Sequence, residues 1–290
     1  MLAPVRVALI ANRAAGGGLD PEPLAGLMRA HGADVRVHGC EPADLERAAE
    51  PRPDRIVVAS GDGTIAPVAA LAGRLGVPLG VIPAGTANDF ARANGLPADH
   101  RAAAVLAVRG AGRRELELGW LSDGRPFVNV ASAGLGAVAA RRAKRFKRRL
   151  GPLAYAVGAV HAAATSRPLQ ASVRVDGATA FRGAAWQVIV AATGAFGGGS
   201  GLGAADPEDG VLDVAVLPGG SRLGLLHRAW GLRRGTIAAQ RGVEHHRGAL
   251  VEVDLPPGAE LNADGEIRTG GLDRVSVTRH GFTLVVPSGG

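Results

Sequence analysis

Up to about residue 109, short unbroken apolar runs alternate with stretches of helical spacing. The runs fall at residues 5–10, 35–37, 56–59 and 79–82, and continuous apolarity of that length is what a strand buried on both faces produces. Between them, residues 21–30 behind Asp20 and Pro21, residues 42–49 and residues 65–75 predict helices. Strands alternating with helices predict a parallel sheet wrapped by helices. Near Arg113 the period drops to two. Residues 115–121 and 127–131, joined through Asp123-Gly124, predict a hairpin. Further strands are predicted at 171–175, 184–192, 211–217, 250–255, 274–278 and 283–286, several parted by Asp-Gly or Pro-Gly. The expectation is an α/β domain over residues 1–114 and a β-sandwich-like domain over 115–290 with helical insertions.

Candidate chemistry gathers where two strands of the first half end. Residues 56–59 run into Ser60-Gly61-Asp62-Gly63-Thr64, and residues 79–82 into Pro83-Ala84-Gly85-Thr86-Ala87, followed by Asn88-Asp89 at a polar helix start. Side-chain-poor loops that open helices let backbone N–H groups approach an anion, and the helix end adds about half a positive charge. A phosphate-handling cleft is the functional reading. Asp-Gly alone is ordinary turn chemistry, and it occurs at 62, 123, 176, 209 and 264, so a plain turn at Asp62 stays open beside it.

The pair of blocks, SGDGT and PAGTANDFAR, resembles the hallmark of the diacylglycerol kinase catalytic superfamily, GGDGT followed by P-x-GT-x-NDFAR, with Ser60 at the first glycine. NAD kinases and phosphofructokinases share the first element only. The resemblance implies an NAD-kinase-like α/β domain, a β-sandwich domain and a final strand that returns to the first. It also implies ATP and magnesium as cofactors and a lipid hydroxyl as acceptor, most simply diacylglycerol going to phosphatidic acid. Asn12 and Gly16 match an N-P-x-x-G element, with Arg13 in place of proline. With Ser60, Gly61, Asp62, Gly63, Thr64, Gly85, Thr86 and Asn88 they are the implied nucleotide-binding set. Asp62, Asp89 and Glu117 are the implied acids around catalytic magnesium, Glu117 standing where aspartate is usual. Asp206, Asp209 and the carbonyl of Val211 match a structural magnesium site, with Gly203 where proline is usual; a metal-free hairpin turn is the alternative. Asp264 and Glu266 flank Gly265 in a DGE element that carries the proposed base, Asp264 being the first choice and a simple turn the alternative.

Charge adds one feature. The net charge of +7 is carried by residues 141–149, RRAKRFKRR, with seven cations; the remainder has 26 basic and 26 acidic residues. Ala139, Ala143, Phe146 and Leu150 form one helical stripe, and a second, apolar helix is expected over residues 153–166, the two making a basic insertion at 137–167. Contact with an anionic membrane surface is expected, with an ordinary solvated face as the alternative. Nucleic acid is disfavoured because aromatic interleaving is nearly absent. The single cysteine, Cys40, excludes an internal disulfide. With no signal-peptide pattern or long apolar span, the expected location is the cytoplasm, peripheral to the inner face of the membrane. A homodimer is left open. His245 and His246 are expected as surface or loop histidines, since neighbours on a strand face opposite sides. Other readings kept open are a kinase of this fold acting on a soluble alcohol or NAD, and a nucleotide-binding regulator without catalysis.

Overall fold

The computed structural model describes residues 3–15, 18–150, 158, 161–196, 200–203, 205–270 and 272–288. The chain divides into two compact units, Met1–Leu118 with His280–Gly290, and Gly119–Arg279.

In the first unit, β1 (Val5–Ala11), β2 (Ala33–His38), β3 (Arg55–Ser60) and β4 (Leu79–Pro83) form a parallel sheet in the order β2-β1-β3-β4. The last strand of the chain, Arg274–Val286, lies parallel to β4 where Leu284 faces Leu79. Leu9, Ile10, Ile56, Val57 and Val58 are fully buried, each worth about 1.5–3 kcal/mol of burial. Helices α1 (Glu22–Ala30), α2 (Pro42–Ala48), α3 (Asp62–Leu75), α4 (Asp89–Ala93) and α5 (His100–Arg109) fill the crossovers. α5 starts on an Asp99 cap, whose Oδ1 accepts the Ala102 N–H at 2.8 Å. It packs closely on β4 because Gly80 faces Ala107; a Cβ at Gly80 would sit 2.5 Å from the Ala107 methyl. α3 begins at Asp62, three residues before the predicted start at Ile65. The SGDGT block is therefore a strand end plus the first turn of a helix, not a free loop.

The second unit starts in β5 (Gly112–Trp120), which pairs with the short β6 (Pro126–Phe127). β7 (Val130–Gly134) leaves this pair and joins residues 187–191 instead, so the predicted hairpin of 115–121 with 127–131 is cut short. Its long strand is β9 (Ala178–Ala191), flanked by β8 (Leu169–Val175), β7 and β12 (Leu212–Pro218). Val188 and Val190 enter one core cluster, Ile189 and Ala191 another, which explains why this strand reads as an apolar run rather than an alternation. β10 (Ala195–Phe196) and β11 (Ser200–Gly201) form a small pair, β13 (Glu244–Gly248) edges β12, and β14 (Leu250–Asp254) pairs with β8. β15 (Glu260–Ala263) and β16 (Glu266–Thr269) make a hairpin, and β15 also pairs with β7. β17 (Arg274–Val286) is one strand where two were predicted; His280, at φ 51, bends it within the polar stretch that hid its continuity.

The basic run lies on helix α6 (Leu135–Leu150). The second, apolar helix of the insertion lies mostly outside the described residues; residues 161–165 are helical. A further helix, α7 (Gly224–Arg234), was not foreseen. Among the described residues no helix is long and apolar enough to cross a membrane.

Candidate active site

The two glycine blocks meet in the first unit. β3 and β4 run side by side, and Ser60 pairs with Pro83 at their ends. Ala84 N–H donates to the Ser60 carbonyl at 2.9 Å, carrying the pairing one residue past the strand. Gly61 and Gly85 then touch backbone to backbone: a Cβ on Gly85 would lie 2.5 Å from the Gly61 Cα. Only glycine permits that approach.

The first block also holds the helix start of the second. Asp62, at the first turn of α3, accepts the Phe90 N–H of α4 on Oδ1 at 2.9 Å, so the acid of one motif caps the helix of the other. Asn88 takes the left-handed conformation at φ 51 and folds its amide over its own loop, accepting Gly85 N–H at 2.7 Å and donating to the Gly85 carbonyl at 3.1 Å. Thr86 is exposed at the loop tip, while Gly61, Gly63 and Thr64 are half-buried. Ser60, the departure from glycine, is buried, and its hydroxyl donates to Thr64 Oγ1 at 2.8 Å. Its side chain thus braces the motif it interrupts. Asn12 ends β1 beside β3, its N–H donating to the Ala59 carbonyl at 3.1 Å and its Oδ1 accepting Ala14 N–H at 3.0 Å. Gly16 lies outside the described residues.

Of the five Asp-Gly pairs, four are turns with glycine at positive φ: Gly124, Gly177, Gly210 and Gly265. Asp62-Gly63 is the exception, lying inside α3.

Asp62 sits in unfavourable surroundings for charge. Burial pushes the Asp62 carboxyl upward, against the backbone bonds it accepts, and the Asp89 charge adds to the rise. Asp89 is buried and ion-paired with Arg92 one turn on, a partner that the i,i+3 spacing of NDFAR would have revealed. Glu117 is fully buried on β5. A half-buried carboxylate beside a buried one is a donor set that suits magnesium, which usually takes one or two carboxylates together with water and substrate phosphates. Asp62 and Asp89 supply such a pair, Asp89 being balanced by the Arg92 guanidinium until a metal competes for it; among the described residues no group of three acids is placed to hold a metal, so the expected trio with Glu117 is not assembled.

In the second unit the DGE element forms the turn between β15 and β16, with Asp264 at φ 45 and Gly265 at φ 88. Both central residues have positive φ, so the side chains of Asp264 and Glu266 diverge. Asp264 Oδ2 accepts Val128 N–H at 2.7 Å, and its Oδ1 accepts Asn129 N–H at 2.9 Å and Val130 N–H at 3.0 Å. Three backbone donors occupy three of the about four acceptor positions of this carboxylate. Asp264 is therefore a clamp on the segment that steers β7 away from β6, which corrects its place as first choice for the base. Glu266 is exposed, and among the described residues its Oε2 is paired with Arg268.

The implied structural magnesium site does not fit its metal. Asp209 Oδ1 accepts Val211 N–H at 2.9 Å, and its Oδ2 is taken by the Arg247 guanidinium. Asp206 is exposed, its Oδ1 accepting Glu208 N–H at 3.1 Å. The same guanidinium lies 3.5 Å from Oδ1 of the fully buried Asp213, which also contacts His245 Nε2 at 2.7 Å. The Arg247 guanidinium already balances Asp209 and Asp213. Gly203 also has a structural reason: at φ 77, a Cβ there would meet the Gly235 carbonyl oxygen at 1.7 Å, so proline is excluded. His245 is not the surface histidine expected; it lies on β13 against Asp213, which with Arg247 the sequence reading passed over.

Two family models match the chain: the diacylglycerol kinase catalytic domain over residues 6–121, and the YegS C-terminal NAD kinase beta sandwich-like domain over residues 129–285. The chain belongs to the diacylglycerol kinase catalytic superfamily. Within this superfamily it is 32% identical to the diacylglycerol kinase of Bacillus subtilis, over 81% of this chain and 78% of that one. It is likewise 32% identical to a probable lipid kinase YegS-like of Pseudomonas aeruginosa, over 81% and 77%. A diacylglycerol kinase structure from Bacillus anthracis shares the fold, with a TM-score of 0.79 at 21% identity over 98% and 97% of the two chains. An NAD kinase from Archaeoglobus fulgidus, solved in complex with ATP, follows at 0.56 and 15%, over 98% and 94%. As a member of this superfamily the chain is a lipid kinase, a phosphotransferase with an alcohol group as acceptor.

Proposed function

We propose that the chain transfers the γ-phosphoryl group of ATP to the free hydroxyl of diacylglycerol, giving phosphatidic acid and ADP. The observation that carries this reading is the backbone contact of Gly61 with Gly85, locked by the Asp62 bond to Phe90 N–H. It joins two helix starts and their side-chain-poor loops into one surface able to receive a run of phosphates. Asn12, Ser60, Gly61, Gly63, Thr64, Gly85, Thr86 and Asn88 form the proposed nucleotide cradle. Asp62 and Asp89 are the proposed acids for magnesium, which when bound would neutralise charge on the transferring phosphates.

In the reaction the acceptor oxygen forms a bond to the γ-phosphorus, the bond from that phosphorus to the bridging oxygen of ADP breaks, and the hydroxyl proton passes to a base. Of the two DGE carboxylates we assign that role to Glu266, because its exposed side chain keeps an oxygen free of the backbone bonds that occupy Asp264. An anionic membrane surface is the proposed source of the acceptor.

The competing readings are a soluble acceptor such as NAD and a regulator without turnover. Incubating the protein with ATP labelled at the γ-phosphate, in parallel with a total lipid extract and with soluble metabolites, separates all three. Label in a lipid phosphate supports the proposal; label only in soluble products, or none transferred, rejects it.

A further inference from the structure

Two large apolar side chains among the described residues are strongly exposed, Leu223 at 79% and Trp230 at 56%, and both belong to α7 or its first flanking residue. They lie on one stripe. Leu223, His227, Trp230 and Arg234 follow the i, i+4, i+7, i+11 spacing, and all four are exposed. The opposite face is used up inside the unit: Leu225 is buried in a core cluster with Leu202 and Leu217, and Arg228 turns to the Gly242 carbonyl at 3.3 Å. The outward stripe therefore has a composition that packing within the second unit does not explain.

Charge says what covers it. Residues 214–243 contain five arginines, at 222, 228, 233, 234 and 241, and no aspartate or glutamate. Arg234 lies over the Trp230 ring, 4.3 Å from its centroid, pairing a cation with an aromatic that has an apolar body and a polar edge. The same sign continues into the neighbouring helices. Arg222 donates to the Ser166 carbonyl at 3.1 Å, and Arg142 of α6 donates to the His161 carbonyl at 2.8 Å. Residues 124–175, which include α6, also contain no acidic residue, though Arg141 borrows Glu260 as a partner at 2.9 Å. Apolar anchors set among cations, on a helix too short and too charged to span, match the boundary between lipid headgroups and acyl chains.

We propose that α7 docks on an anionic lipid surface, Leu223 and Trp230 entering the acyl boundary and Arg234 beside them meeting the headgroups. This rests on the lipid-kinase reading and names a membrane contact beyond the basic run of α6. A nucleic-acid strand would gain from the arginines but gives an exposed leucine nothing to bury against. Lipid uses both.

The test uses the full chain and vesicles of phosphatidylcholine alone or mixed with phosphatidylglycerol. Wild type binds the mixed vesicles, and Leu223→Ser with Trp230→Ser lowers that partition at least ~tenfold while turnover on a water-soluble short-chain diacylglycerol is unchanged. Both positions are exposed, so the fold is retained. Brominated lipid quenches part of the wild-type tryptophan fluorescence, and Trp230→Phe removes that part, because Trp186 is buried and Trp120 is held by its bond to Thr278. Equal partition of the double variant, absent quenching, or quenching that survives Trp230→Phe overturns the proposal. So does a lipid-free change from dimer to monomer in the double variant, which would make the stripe an interface between copies. Quenching of Trp230 without any lipid phosphorylation would reject the kinase reading alone; lipid phosphorylation without quenching would reject the docking face alone.

Discussion

Replacing Gly85 by alanine strikes the contact on which the site depends. The new methyl would lie 2.5 Å from the Gly61 Cα, 2.8 Å from Asn88 Oδ1 and 3.4 Å from the Gly61 nitrogen. Carbon atoms rest about 3.5–4.0 Å apart, so the loops must part by about 1 Å. Neither side yields easily. Ala84 is hydrogen-bonded to Ser60 at 2.9 Å and Gly85 to Asn88 at 2.7 Å. Overpacking of this kind costs about 1–3 kcal/mol, and the rigid backbone neighbour places Gly85→Ala near 2 kcal/mol. A shift of about 1 Å in groups that position a reacting phosphate lowers turnover about 100-fold. Gly61→Ala is milder, since its Cβ would meet only the Gly85 Cα at 3.1 Å and the Gly85 nitrogen at 3.8 Å, and about 1 kcal/mol is expected. Gly26→Ala, exposed in α1 with nothing within 4 Å of its Cβ, is the control and should gain about 0.5–1 kcal/mol. Urea melts and turnover in detergent–lipid micelles read all three. Gly85→Ala with turnover within about threefold of wild type, or Gly61→Ala as the more damaging change, would refute the argument.

Asp264→Asn sets an amide NH₂ against backbone donors and should cost about 2–4 kcal/mol, whereas Glu266→Gln should melt like wild type yet lose turnover at least ~100-fold; melts and turnover on both variants decide, and a fully stable Asp264→Asn removes the clamp. Because Arg247 already balances Asp209, EDTA should leave the melting temperature of the nucleotide-free protein unchanged, while Arg247→Met should make it magnesium-dependent; a fall of several degrees with EDTA in wild type contradicts that balance. The Arg6 guanidinium holds the Asp54 carboxyl at about 2, below its ordinary value of 3.8. A lowered carboxyl favours the fold above the ordinary value, so this contribution is complete above about pH 4 and is lost as pH falls towards 2. Asp54→Asn should therefore flatten acid sensitivity in that window, and acid titrations that coincide with wild type would rule it out. Because the pair is exposed, the effect is small.

The α/β half was legible because unbroken runs such as Ile56–Val57–Val58 have no other comfortable place than a sheet covered on both faces. The two phosphate blocks were legible because their small residues sit at strand ends. What joins them was not. The Asp62 bond to Phe90 spans 28 residues, and nothing local distinguishes that aspartate from the four Asp-Gly turns elsewhere. Asp264 was misjudged for the same reason: its three donors lie 134–136 residues away. α7 was missed because its exposed leucine and tryptophan break the helical pattern that a core-facing helix shows, and β17 because Arg279, His280 and Gly281 interrupt an otherwise continuous strand. The departures Ser60 and Gly203 read as defects in a motif until the Thr64 hydroxyl and the Gly235 carbonyl gave each a cause.

The most direct test of the central claim is the turnover of Asp62→Asn on diacylglycerol. Asparagine keeps an oxygen to accept the Phe90 N–H, so the loops stay joined and urea melts should match wild type, while the charge directed at metal and phosphate is lost. The account predicts phosphatidic acid formation reduced at least ~1,000-fold in a folded protein. Formation within about tenfold of wild type, a barrier change below ~1.4 kcal/mol, would reduce Asp62 to a helix cap and contradict the site.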